Sequence, residues 1–575
     1  MPSVAGVASP VRVGRSVARR EGLLVGLAAA FFGWWFVGWG NVWPGSMAWL
    51  NFGDVGASQA AWEYFRAAPL FQWPITALPN YGAGWDSVFQ GMAGNVLVAL
   101  PLKVLSPVLP GHFQYLGLWV VACFVAQAVI VRRLFVVMGL GAVERVLGAV
   151  VVTLSPILLF RIGAMAHLDL GGQWLITLSL LLYRNSSARS KRWWVLIVVA
   201  AAVHIYLFAM TFAVWFAAWL RDEVQPRGRT WRSTVRVLLG GSVAAVLGLW
   251  LLGFFAFRDS ATGYGFFRMN MAAFINPEFS STDSFSGLLD RVGFLRNRQF
   301  AAEEGEGFAY VGLAMLVSMP FLCVAIATRR MHWLRVNIAL AAVTVGLFAL
   351  ALSNRVVFIR REVTYWWPDV LLEARQVFRA SGRFAWLLAY VLAIAGWVAV
   401  SRYARRLGRM APLALIALTV VHVVDIVPGI RTTHRILATA KPEQSSFADP
   451  RWGSLFDERS ALSIVPTFDV QADGLGPAAT YWVDSGRWYD VIRFGGRNDL
   501  ALNFAYVGRA VVKEAERANV RNAETVLQGR PEPGTVYLFA DKSEWDAVRT
   551  KLSDQQDAFV LDGYFVVLGP PESME

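Results

Sequence analysis

Residues 22–39, GLLVGLAAAFFGWWFVGW, run for 18 positions without a charged side chain, and apolar runs of similar length recur as far as residue 429. Stretches of roughly 17–25 apolar residues are what a helix needs to cross the hydrocarbon core of a bilayer. No other feature of the sequence narrows the fold as much. The chain is 56% hydrophobic and only 16% charged, where soluble domains are about a quarter charged. Its 25 tryptophans suit a membrane protein as well, because amphipathic rings favour the two membrane–water interfaces. Cys123 and Cys323 both fall inside apolar runs, so they carry no information about redox compartment. Arg12, Arg15, Arg19 and Arg20 precede the first run, and the bulky GWWFVGWGNVW follows it without a small-residue cleavage site. The run reads as a retained first span with a cytoplasmic N-terminus, residues 1–21.

The net charge of +13 resembles a nucleic-acid signal until it is divided by region. Residues 431–575 carry 16 basic and 21 acidic side chains, so the basic excess belongs to the apolar part. One alternate set of connections, residues 1–21, 132–145, 184–193, 221–236, 328–335 and 402–409, holds 23 Lys/Arg against 4 Asp/Glu. The opposite set, residues 40–112, 161–169, 258–307 and 354–383, holds 14 of each. This is the positive-inside asymmetry. It makes the basic charge an orientation signal and argues against nucleic acid as a partner.

The alternation also decides two ambiguous segments. If GNVLVALPLKVLSPVL (94–109) crossed the membrane, VRRLF (131–135) would fall on the wrong side. The segment therefore reads as an amphipathic helix on the outer surface. Residues 194–220 are flanked by basic clusters at both ends, which a helical hairpin breaking near HIYLF (204–208) would keep on one side. The expected fold is an α-helical polytopic membrane protein of about 11 spans over residues 22–430. Three long connections, 40–112, 258–307 and 354–383, would lie outside, in the cytoplasmic (inner) membrane of a bacterium.

Beyond the last span the pattern changes. SALSIVPTF, YDVIRF, GTVYLFA and DAFVLDGYFVVLG read as strands, GRAVVKEAERANV and KSEWDAVRTKL as helices. Residues 431–575 thus read as an extracytoplasmic α/β domain. The sequence shows no phosphate loop, nucleophile motif or metal-ligand cluster there, which suits an accessory or recognition role.

Four pieces in order carry a resemblance: NFGDVG, then GWDSVFQGMAGNVLVALPLKVL, then QAVIVRRLF, then LSPILLFRIGAMAHLDL. Over roughly residues 20–185 the chain resembles the GT-C class of membrane glycosyltransferases. FQYLGLW (113–119) with RASGRF (379–384) resembles an uncharacterised bacterial family of that architecture. The resemblance implies transfer of a sugar from a polyprenyl-phosphate carrier to an acceptor glycan, lipid or protein at the outer membrane face. Such a reaction needs a base for the acceptor hydroxyl and cations for the departing phosphate. It assigns the base to Asp54, with a solvated loop residue or helix cap as the alternative. Asp86, Arg161, His167, Asp169, Arg379 and Arg383 are the substrate-binding candidates. Asp86 equally suits an N-cap of the amphipathic helix, and Arg161, His167 and Asp169 equally suit interfacial anchors. Asp54 is followed by Val55, and His167 stands where a second acid would suit. A divalent metal, which wants several oxygen ligands, has few there, and no cofactor is expected.

Other charged groups have plainer readings. Glu63 and Arg66 read as a surface pair. His422 and Asp425, on one face of the last span, read as snorkelling to the interface. The glycine-rich EEGEGFAYVG (303–312) reads as a shaping element before the next span. Two rival functions stay open: a transporter or lipid-carrier flippase, disfavoured by the lack of an internal repeat, and a non-catalytic component of polysaccharide export.

Overall fold

The structure, a computed structural model, describes residues 15–82, 88–89, 94–224, 231–256, 264–280, 282–292, 302–328, 332–367, 378–439, 447–465, 487–504, 523–554 and 557–572. The chain divides into two compact units. One holds residues 1–43, 116–245 and 262–439; the other holds residues 44–115, 246–261 and 440–575.

Among the described residues, six helical segments are long and apolar enough to cross a membrane: 19–37, 116–137, 142–163, 205–223, 234–251 and 381–438. Two shorter apolar helices, Leu313–Thr328 and Asn337–Leu352, accompany them. The segment 381–438 is interrupted at Gly408, whose φ of 56° only a residue without Cβ adopts at little cost. The segment 142–163 breaks between Thr153 and Pro156, because proline has no N–H to continue the helical ladder.

The expected hairpin over 194–220 is present. Helix Lys191–Val203 ends at His204, which is extended (φ −167°, ψ 140°), and helix Ile205–Val224 begins at once. The basic ends of the hairpin meet: Arg221 donates to the carbonyls of Tyr183 and Ser186, and Asp222 accepts from Ser187 Oγ and the Ala188 N–H.

Ion pairs sort the connections of the first unit. Glu21 bonds Arg132 and Arg145, and Glu144 bonds Arg405. Arg189 meets Glu223 at 3.6 Å. All of these residues belong to the basic set of connections. Within the opposite set, Arg161 and Arg383 meet Glu306, and Arg268 and Arg355 meet Glu362. None of these ion pairs joins one set to the other. Residues of the opposite set also form a small antiparallel hairpin, β1 (Arg355–Phe358) with β2 (Arg361–Thr364), which the sequence reading did not anticipate.

The second unit contains a five-stranded mixed sheet. Its strands are β3 (Ala461–Val465), β4 (Ala501–Leu502), β5 (Thr535–Phe539), β6 (Ala558–Leu561) and β7 (Tyr564–Leu568), in the order β4-β3-β5-β7-β6. The strands β3, β4 and β5 are parallel, while β7 runs antiparallel to β5 and β6. Helix Lys542–Arg549 covers the sheet through Trp545, whose indole N–H donates to the Val566 carbonyl at 2.9 Å. Three of the expected strand segments and this helix are present. YDVIRF is instead part of a helix, Arg487–Arg497. The helix expected over GRAVVKEAERANV lies outside the described residues.

Residues 44–115 belong to this same unit and supply helices Gly53–Ala67 and Val96–Val104. Helix Gly53–Ala67 packs on helix Arg487–Arg497 through glycines. A Cβ on Gly56 would stand 2.2 Å from the Tyr489 ring, and one on Gly495 would stand 2.3 Å from the Tyr64 hydroxyl. Tyr489 donates to the Gly53 carbonyl at 2.8 Å and Tyr64 to the Leu500 carbonyl at 3.1 Å. Next to β4, the Leu502 N–H donates to the Asn80 carbonyl at 3.0 Å.

Candidate functional site

Three connections of the opposite set converge in the first unit on one carboxylate. Glu306, at the end of the 3-10 turn Ala302–Gly307, accepts from Arg161 Nη1 at 2.6 Å, Arg383 Nε at 2.8 Å and Arg383 Nη2 at 2.9 Å. Its backbone carbonyl accepts from Arg161 Nη2 at 3.0 Å. Arg161 ends the short helix Pro156–Gly163, and Arg383 lies in the 3-10 turn Ser381–Phe384. The two loops are held backbone to backbone, since a Cβ on Gly382 would come within 2.5 Å of the Gly307 Cα.

Aromatic rings enclose the two guanidiniums. Arg161 lies 5.2 Å from the Trp386 ring, and Arg383 lies 4.8 Å from the Tyr206 ring. Burial pushes the Glu306 carboxyl up, but Arg161, Arg383 and His167 outweigh it and hold the group well below its ordinary value. Two guanidiniums therefore face one ionised carboxylate.

His167 completes the cluster. Its Nδ1 is 3.2 Å from Arg161 Nη1 and 3.9 Å from Glu306 Oε1. A guanidinium can only donate, so Nδ1 is placed to accept in this contact. Asp169, also buried, turns to another partner: its Oδ2 is 3.4 Å from His204 Nε2. His204 Nδ1 accepts from the Tyr206 N–H at 3.2 Å, and the Tyr206 hydroxyl accepts from the Ala380 N–H at 2.7 Å. The hairpin break at His204 thus meets the residues of connection 161–169.

Of the residues singled out in the sequence, Arg161, His167 and Arg383 come together, and Asp169 is tied to them through His204 and Tyr206. Arg379, from the same RASGRF segment, sits 5.4 Å from the Phe267 ring. Asp86 lies outside the described residues. Asp54 belongs to the second unit, half-buried in the first turn of helix Gly53–Ala67, where the helix dipole favours a carboxylate. Glu306 was missed because its partners lie 145 and 77 positions away, and no local pattern marks such a pairing. Among the described residues, no three His, Cys, Asp or Glu side chains gather as metal ligands.

Two plainer readings need correction. Glu63 is buried rather than at the surface: its Oε1 accepts from Gln59 Nε2 at 2.8 Å. Arg66 instead donates to the carbonyls of Ser106, Leu109, Pro110 and Gly111. His422 and Asp425 do not reach an interface, as both are fully buried. Asp425 accepts from Ser286 Oγ, the Leu288 N–H and the Tyr310 hydroxyl, so it caps the short helix Gly287–Arg291.

The fold is mostly helical, with six segments among the described residues long and apolar enough to cross a membrane, and it holds a buried arginine–carboxylate centre. Residues 25–427 match the profile of a family described as a domain of unknown function, DUF6311, and residues 451–570 match the DUF6311 C-terminal domain. The chain belongs to the DUF6311 family. No curated protein matches it.

Proposed function

We propose that the protein is a cell-envelope glycosyltransferase that takes its sugar from a polyprenyl-phosphate carrier. In this reading it has about eleven spans, a cytoplasmic N-terminus and an extracytoplasmic C-terminal domain, and it acts at the outer face of the cytoplasmic membrane. The observation that carries the reading is the convergence of Arg161, Arg383 and His167 on Glu306. Such a cluster, buried among apolar helices, suits an anion delivered by a lipid.

Arg383 uses Nε and Nη2 on Glu306, which leaves its Nη1 edge for a phosphate oxygen. Paired guanidiniums are preorganised to receive the charge that grows on a phosphate as its bond to the anomeric carbon breaks. One further donor nearby, Trp386 Nε1, is buried and has no protein acceptor among the described residues. Buried donors normally find acceptors, and the oxygens of a sugar phosphate would supply them. In the transfer, the acceptor hydroxyl attacks the anomeric carbon, its proton passes to a base, and the polyprenyl phosphate leaves. The base assigned by the resemblance is Asp54.

The test is transfer by membranes carrying the protein, given a panel of polyprenyl-phosphate sugars, with Arg383→Ala as the key variant. A lost charge-assisted hydrogen bond costs about 1.5–3 kcal/mol, so donor binding should weaken by roughly one to two orders of magnitude. Absence of transfer from every donor, or unchanged donor use by Arg383→Ala, would refute the reading.

A further inference from the structure

We infer that the second unit docks on the outer leaflet through a hydrophobic wedge, Leu70–Trp73, placed beside the apolar edge of helix Val96–Val104. Phe71 is 94% exposed and Val108 78%, while Leu70, Trp73, Val104 and Leu105 are exposed as well. Soluble surfaces seldom gather so many large apolar side chains in one place.

Helix Val96–Val104 is inverted relative to a helix that lies against water. Its one cation, Lys103, is buried with Nζ 4.2 Å from the Phe65 ring centroid, whereas Val104, Leu105 and, just beyond, Val108 face outward. Burial lowers the Lys103 pKa to about 8. Turning an ammonium inward and valines outward is unfavourable in water and favourable in lipid.

Both apolar groups flank the C-terminal end of helix Gly53–Ala67. Arg66, at the end of helix Gly53–Ala67, holds the carbonyls of Ser106 to Gly111. Four residues later the chain reaches Leu70. The Trp73 ring then packs 4.2 Å from the Trp250 ring. Thr76 Oγ1 donates to the Leu252 carbonyl at 2.8 Å.

Trp250 and Leu251 end the apolar segment 234–251, one of the helices long enough to span a membrane. The wedge is therefore packed, through Trp73, on the last residues of that apolar segment. Trp73 and Trp250 stand where tryptophan rings belong, at the membrane–water boundary. The occupant we commit to is the acyl and glycerol region of the outer leaflet, and this inference rests on the orientation in the proposal above only for which leaflet is meant.

The test uses the full chain in liposomes, with Cys323→Ala removing the exposed native thiol; Cys123 is buried. Phe71→Cys, Trp250→Cys and Asp546→Cys are each labelled with an environment-sensitive fluorophore, and lipids carrying shallow spin labels are added. Position 71 is nearly fully exposed, so the substitution leaves packing intact. The label at 71 should show blue-shifted emission and quenching comparable with 250, while 546, on the exposed face of helix Lys542–Arg549, stays water-like. Emission and quenching at 71 matching those at 546 would overturn the inference. So would a blue shift without lipid quenching that grows with protein density, the mark of contact between copies. Neither readout depends on transferase activity.

Discussion

Arg383 meets Glu306 with two parallel donors, Nε at 2.8 Å and Nη2 at 2.9 Å, while Arg161 approaches one of the same oxygens at 2.6 Å. One carboxylate thereby holds together connections that lie far apart in the chain. Removing one partner of a buried ionic group leaves an uncompensated charge and costs about 3–5 kcal/mol. Glu306→Gln should lower the melting temperature of the purified protein sharply. Adding Arg383→Ala to Glu306→Gln should recover part of the loss. Thermal unfolding in detergent checks both, and additive losses would show that the pair is not coupled.

Glu63 makes the second unit sensitive to pH. Burial raises its pKa to about 6 against the ordinary 4.5, despite Arg497, the Gln59 bond, Arg66 and Arg493 pulling it down. The folded state therefore holds this proton more tightly than the unfolded chain does. The contribution is fully present below about pH 4.5, is lost as pH rises through about 6, and leaves a constant penalty of about 2 kcal/mol above that. Glu63→Gln should remove the penalty and stabilise the protein at pH 7.5 while changing little at pH 4.5. Equal stability of the two proteins at every pH would count against this.

The glycine contacts between helices Gly53–Ala67 and Arg487–Arg497 change what the C-terminal part needs. Gly56→Val would drive a side chain into the Tyr489 ring, and overpacking of this kind costs about 1–3 kcal/mol or more. Residues 440–575 expressed alone would also uncover Tyr489, which is buried in the full chain against Gly53 and Gly56. That fragment should be less soluble and less stable than one that also carries residues 44–115. Comparable melting of the two fragments would show that the first connection contributes nothing.

The hairpin break at His204 and most of the sheet were legible because each is written in a few adjacent residues. A basic cluster at each end or a short β-branched run is a local signal. YDVIRF failed for a physical reason. Six residues are too few to separate a period of 2 from 3.6, and the buried set Trp488, Val491, Ile492 and Gly495 shows the helical spacing only over a longer window. The following glycines read as turn residues, yet Gly495 and Gly496 are packing positions under Tyr64 and Glu63. Glu63 and Glu306 were misjudged together, because burial by distant segments decides their roles. Hairpin β1–β2 carries its own antiparallel register but stood in a segment whose arginines drew attention to charge instead.

Orientation can be tested from the charge asymmetry of the connections. If the basic set is cytoplasmic, a reporter active only outside the cytoplasm should be silent when fused near residue 190 and active when fused after residue 575. Activity at 190 with silence at the C-terminus would invert the topology, and with it the side on which Arg161, Glu306 and Arg383 stand.

Asp54 has a structural reading and a catalytic one, and a single substitution separates them. In the first turn of helix Gly53–Ala67 a carboxylate interacts favourably with the helix dipole, a term of about 0.3–1 kcal/mol. Ser58 Oγ donates to its backbone carbonyl at 2.8 Å, a bond that does not depend on the side chain. Asp54→Asn keeps the size of the group and removes its charge, so on the structural reading it should lower stability slightly and leave transfer intact. A general base contributes roughly 10²–10⁴ in rate. On the catalytic reading, turnover with a polyprenyl-phosphate donor should fall by about that factor while donor affinity holds. Arg383→Ala should show the converse, weakened affinity first. Near-normal turnover in Asp54→Asn would return Asp54 to the helix dipole, and the base would then have to be sought elsewhere in the chain.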